Sequence, residues 1–180
     1  RGMLDHLMQQ IPVTGQSMPH YGWHEGLAAC SILGAVCGVA AATGEQRYRD
    51  YARRIVDSGC SLKHNIFEAA RRHIPPAEIG NGKAYEMLSC FQGLSEFHLM
   101  DPQEEYLETV TELFRMVKEQ EIFITGGGGL KDVVGEYWYY GAMRQTRDDS
   151  GNHGETCVTA TWLHYCDRIL KLTGSATAAD

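Results

Sequence analysis

The stretch LAACSILGAVCGVAAATGEQRYRDYARRIVDSG, residues 27–59, sets the plan of the chain. Its first half is apolar and rich in Ala and Gly around most of a helical circumference, as expected of a helix buried on most sides. ATGEQRY (42–48) then makes a short turn, and the second half carries apolar residues on one face only. Residues 84–120, AYEMLSCFQGLSEFHLMDPQEEYLETVTELFRMVKEQ, repeat the plan around MDPQEEY (100–106). Residues 155–180, ETCVTATWLHYCDRILKLTGSATAAD, begin it a third time and reach LTGSATA (172–178). In the middle unit Tyr106, Val110, Leu113, Phe114 and Val117 share a face that should pack inward, leaving Glu105, Glu108 and Glu112 toward water.

Repeated hairpins with a buried inner and a half-exposed outer helix predict a mainly all-α chain, an α/α solenoid or toroid. A closed ring needs more than two and a half hairpins. The arc should therefore have open apolar ends, covered by a further segment or by a homo-oligomer. The opening RGMLDHLMQQ lacks the apolar core of a signal peptide and reads as the interior of a longer protein, which leaves the compartment open.

Composition narrows the function. With 43% hydrophobic and 22% charged residues over 180, the chain has the make-up of a soluble globular domain. A formal charge of −7 argues against nucleic-acid or anionic-membrane partners, which need a basic patch. The most apolar run, 27–43, is interrupted by Gly34 and Gly38 and reads as a buried helix, so no run is expected to span a membrane. Of the six cysteines, Cys30, Cys37 and Cys90 sit within small apolar runs and are expected in the core as reduced thiols.

Loops at one end of such a scaffold are where sites are built. The segments entering the inner helices are MPHYGWHEG (18–26), IPPAEIGNGKAYE (74–86) and the long 124–157. In the third, EIFIT (121–125) reads as a short strand within a β-containing loop over 122–141. The glycines 126–129 are followed by Leu-Lys-Asp, not the Lys-Ser/Thr of a phosphate loop. Glu136 then precedes Tyr137, Trp138, Tyr139 and Tyr140. Four successive aromatics cannot all face one core. Trp138 and its neighbours either line a cleft where rings stack on sugars or form a β-bridge onto the helices.

GNHGETC (151–157) places Glu155 two residues before Cys157 at a helix start, where the backbone is not yet helical and both can turn to one point. A carboxylate with a thiolate suits zinc. The same residues also fit a helix cap and a core thiol. His153 and His24 are candidate substrate contacts, or an exposed loop histidine and part of a helix cap.

The runs FITGGGGLKDVVGEYWYY (123–140) and GNHGETCVTATWLHYCDRILKLTG (151–174) resemble the bacterial β-L-arabinofuranosidase-type enzymes of glycoside hydrolase family 127. The resemblance implies that residues 1–180 are part of an (α/α)6-barrel catalytic domain, which in the family precedes β-rich domains. It implies a retaining glycosidase acting on plant- or glycoprotein-derived sugars through a zinc-bound cysteine. Glu136 would be the general acid/base, which calls for a raised carboxyl pKa. Glu155 and Cys157 would be two zinc ligands. The family's other two ligands, one of them the nucleophile, come from a downstream Cys-Cys segment that these 180 residues do not contain, so no nucleophile is assigned. Two other classes compete. An α/α-toroid epimerase or lyase would lean on His24, His153 and Arg144, and a carbohydrate-binding helical-repeat fragment would need no catalytic residue.

Overall fold

The apolar opening of the first repeat folds as two helical pieces. The computed structural model describes residues 1–129, 135–139 and 154–179. After an N-terminal helix α1 (Gly2–Gln10), short 3-10 turns lead into α2 (Leu27–Cys30) and α3 (Leu33–Thr43). Gly44, in the left-handed conformation, ends α3 and lets the chain turn back as α4 (Gln46–Asp57). Next comes α5 (Ile66–Arg71), capped by Asn65, whose side chain accepts from the Phe67 and Glu68 N–H groups. Then α6 (Ala84–Met100) and α7 (Glu104–Gln120) repeat the hairpin, and α8 (Thr156–Thr173) begins the third, ending at left-handed Gly174.

The helices fall into two rows. α6 packs on both α3 and α8 and so is the middle of an inner row. α4 backs onto α3 and α6, while α7 backs onto α6, α8 and α5. The chain is thus mainly all-α, with the hairpin order read from its repeats. Val110, Leu113, Phe114 and Val117 on α7 are buried, and Glu105 and Glu108 are exposed, as their periodicity implies. Glu112 departs from that pattern. It is half-buried because it accepts from both Arg115 and His73. The α7–α8 seam is aromatic: Phe114 and Trp162 stack at 5.2 Å, and the Tyr165 hydroxyl donates to Val110 O at 2.7 Å.

Small residues set the spacing of the inner row. A Cβ at Gly93 of α6 would lie 2.6 Å from Leu33 Cβ and 2.8 Å from Gly34 N, so α3 and α6 meet backbone to backbone there. The Cys37 thiol donates to Gly93 O at 3.8 Å across the same contact. Cys30, Cys37 and Cys90 are buried as expected; Cys60 joins them, and all six cysteines are free.

Two expectations are corrected. EIFIT forms no strand. Phe123 N–H bonds to Gly127 O and Gly126 N–H to Phe123 O, so the chain reverses on itself at Gly126 (φ 82). Among the described residues, β pairing in 122–141 is limited to an isolated antiparallel bridge between Lys83 and Tyr137. The second correction concerns the apolar run. By length and composition alone His24–Thr43 is apolar enough to cross a bilayer, but it breaks at Ser31 and Ile32, between α2 and α3, and not at Gly34 or Gly38, which lie inside α3. Leu33, Val36, Cys37 and Ala40 of this run are part of the core.

Gly93 and Gly38 should respond oppositely to the same change. Gly93→Ala is expected to destabilise by about 1–3 kcal/mol through overpacking. Gly38→Ala, with nothing within 4 Å of the new methyl, should stabilise by about 0.5–1 kcal/mol. Urea unfolding of the two variants checks both signs.

Candidate active site

The N-terminal ends of the inner helices converge, and segment 135–139 lies across them. Lys83 occupies the N-cap position of α6, Glu155 that of α8, and His24 stands just before α2. Segment 135–139 is tied at several points. Ala84 N–H donates to Glu136 O at 2.7 Å, Trp138 N–H to Gly82 O at 2.8 Å, and Glu136 N–H to Gly129 O at 3.0 Å. Tyr139 N–H donates to Glu121 Oε2 at 2.7 Å. These bonds hold Glu136 at φ 66, a left-handed conformation that a non-glycine residue adopts only where its surroundings impose it.

The Glu136 carboxylate has two different neighbours. The Lys83 ammonium pairs with Oε2, and the Cys157 thiol donates to Oε1 at 3.2 Å. Lys83 Nζ also lies 4.9 Å from the centre of the Tyr137 ring, which His24 meets edge-on at 6.3 Å. His24 and Glu25 are both left-handed (φ 55 and 56), and Leu62 N–H pins Glu25 O at 2.7 Å. His24 Nε2 stands 3.7 Å from Glu86 Oε1, while the buried Glu86 Oε2 has no hydrogen-bond partner among the described residues.

Glu155 makes no side-chain capping bond; its N–H bonds to Gly128 O at 3.0 Å. Its carboxylate lies over Gly135, where any Cβ would overlap it. The glycine before Glu136 therefore has a packing reason: it lets the two acids share one corner.

Charge in this corner is set by the ion pair. Lys83, then the Cys157 thiol, hold the Glu136 carboxyl below its usual range, outweighing burial. The raised carboxyl that a general acid calls for is therefore not found at rest, because the Lys83 and Cys157 contacts outweigh burial. Burial, then the Glu136 and Glu155 carboxylates, push the Cys157 thiol up to about 11, so it is protonated at neutral pH.

The residues singled out from sequence are placed as follows. Glu136, Glu155 and Cys157 meet in one corner, and His24 lies beside it across Tyr137. Trp138 is 2% exposed and belongs to the core, its ring near Gly128, so in this arrangement it offers no face to a sugar. His153, with Tyr140 and Arg144, lies outside the described residues. A thiol and a carboxylate are zinc's kind of donors, but two do not make a site. Among the described residues no group of three or more His, Cys, Asp or Glu side chains could hold a metal ion. Lys83, Glu86 and Glu121 went unnoticed in the sequence. Lys83 and Glu86 sit in the unremarkable GKAYE, and only the pairing of residues 53 apart gives Lys83 its role.

Compared with known families, residues 16–180 match the model described as β-L-arabinofuranosidase, GH127 catalytic domain. No curated protein and no solved structure matches the chain.

Glu121 gives the supporting segment a pH dependence. Burial pushes its carboxyl up to about 7, against the Tyr139 N–H bond that favours the charged form. A raised acid is protonated in both states at low pH and must ionise in the fold above about pH 7. Stability should fall as pH rises from about 4.5 to about 7, by on the order of 3 kcal/mol from this group. Glu121→Gln should remove that slope; parallel pH–stability curves for wild type and variant would refute it.

Proposed function

Because the chain belongs to the glycoside hydrolase family 127 catalytic domains, matching their model over residues 16–180, we propose that it is a retaining glycosidase. Its substrates would be β-L-arabinofuranoside-like sugars of plant or glycoprotein origin. Glu136 is the general acid/base, and the inner row of α3, α6 and α8 is part of an (α/α)6 barrel. The observation that carries this reading is the 3.2 Å contact between the Cys157 thiol and Glu136 Oε1. It brings together residues that the resemblance assigns to one reaction, from chain positions 21 residues apart.

Glu136 has two tasks in such a reaction. Protonated, it gives its proton to the leaving glycosidic oxygen. Ionised, it takes one from the water that completes hydrolysis. Lys83 and the thiol favour the ionised form at rest, which suits the second task. For the first, a bound sugar that excludes water raises the proton affinity of a half-exposed carboxyl.

Glu155 and Cys157 are two donors to a zinc ion, whose remaining donors the resemblance places in a downstream Cys-Cys segment. The two donors present do not by themselves make a metal site. The acidic charge of −7 supports a neutral carbohydrate partner over nucleic acid or an anionic membrane.

Two measurements test the reading. Glu136→Gln should lower kcat by on the order of 10²–10⁴-fold on a disaccharide, and less on a nitrophenyl β-L-arabinofuranoside, whose leaving group needs little protonation. Wild-type turnover of both by the variant would remove Glu136 as acid/base. In a chain that includes the downstream Cys-Cys segment implied by the resemblance, elemental analysis should find zinc that is lost in Cys157→Ser. Stoichiometric zinc retained in that variant would take Cys157 off the donor set.

A further inference from the structure

Lys83 stands where two effects oppose a cation. It is buried, with its side chain 8% exposed, and it occupies the N-cap of α6, the positive end of the helix dipole. A lysine survives there only with a strong compensating partner. That partner is Glu136 Oε2, with Tyr137 offering its ring face to the same ammonium at 4.9 Å.

Holding the two segments together does not need this charge. The Ala84 N–H to Glu136 O bond, the Trp138 N–H to Gly82 O bond and the Lys83–Tyr137 bridge already do so through the backbone. What the ammonium adds is control of the side chain. The Glu136 carboxylate is half-exposed, and the Cys157 thiol alone would leave it loosely held. Engaging Oε2 leaves one orientation, in which Oε1 faces Cys157 Sγ.

We infer that Lys83 is the positioning residue of Glu136: it clamps Oε2 of the carboxylate so that Oε1 alone is presented to the reacting bond. This rests on the glycosidase reading for what Glu136 does, but not for how the carboxylate is held. Lys83 acts through Glu136 and touches no substrate atom itself.

The test is a double-mutant cycle with a conservative rescue. Lys83→Met keeps the apolar stem and removes the charge; Lys83→Arg restores a charged donor. On a disaccharide substrate, Lys83→Met should lower kcat on the order of ten- to a hundredfold with KM changed less than about threefold, and Lys83→Arg should recover most of it. In a Glu136→Gln background Lys83→Met should change nothing further. Equal losses in both backgrounds, or no rescue by arginine in a folded variant, would overturn the inference. If a chain that includes the downstream Cys-Cys segment implied by the resemblance hydrolyses no glycoside, the glycosidase reading fails, and the same cycle is read by the iodoacetamide alkylation rate of Cys157, resolved by peptide mass. A Lys83→Met effect present with Glu136 intact and absent in the Glu136→Gln background upholds the clamp, and an equal effect in both refutes it.

Discussion

The contact on which the rest depends is the meeting of α3 and α6 at Gly93. With a side chain there, Leu33 and the Gly34 backbone would have to retreat. Helices in such close approach transmit position rigidly, since a packed interior has no slack to absorb a shift. The inner row then fixes where three helix starts lie. His24 precedes α2, Lys83 opens α6 and Glu155 opens α8, so one packing constraint in mid-helix determines the geometry of a corner several turns away.

That corner is held by charge as much as by packing. Two acids, Glu136 and Glu155, share a space that only Gly135 leaves open, with a protonated thiol between them and one buried ammonium beside them. Like charges close together in a partly desolvated site repel, and the arrangement persists because Lys83 and the Cys157 S–H each engage one oxygen of Glu136. The left-handed backbone at His24, Glu25 and Glu136 belongs to the same picture. Three residues of the corner thus adopt a conformation that their surroundings impose, as do Cys60 and His73 elsewhere.

How far this could be read from sequence follows from the distance over which each signal acts. The hairpins were legible because helical periodicity and small-residue composition are local, and the inner and outer roles of α6 and α7 came out as read, with Glu112 the exception. The acid and thiol could be singled out through motif resemblance. Lys83 could not, since its meaning lies wholly in a partner 53 residues away. For Trp138 the aromatic run left two readings open, a sugar platform or a β-bridge onto the helices. The Lys83–Tyr137 bridge realises the second, and alternation then buries the neighbouring Trp138. EIFIT had β-type composition but, among the described residues, no neighbouring strand to pair with, and its backbone bonds closed on themselves.

Glu136 and Glu155 are both hung from the same short stretch of backbone, Glu136 N–H on Gly129 O and Glu155 N–H on Gly128 O. The chain between them leaves and returns at adjacent anchor points. Its length is therefore nearly decoupled from the separation of the two acids. Doubling such a loop adds only about 0.6 kcal/mol of closure entropy. Insertions and deletions there can change that length while leaving the two carboxylates in register. The corner is thus insulated from the number of residues that separate its two acids in the chain.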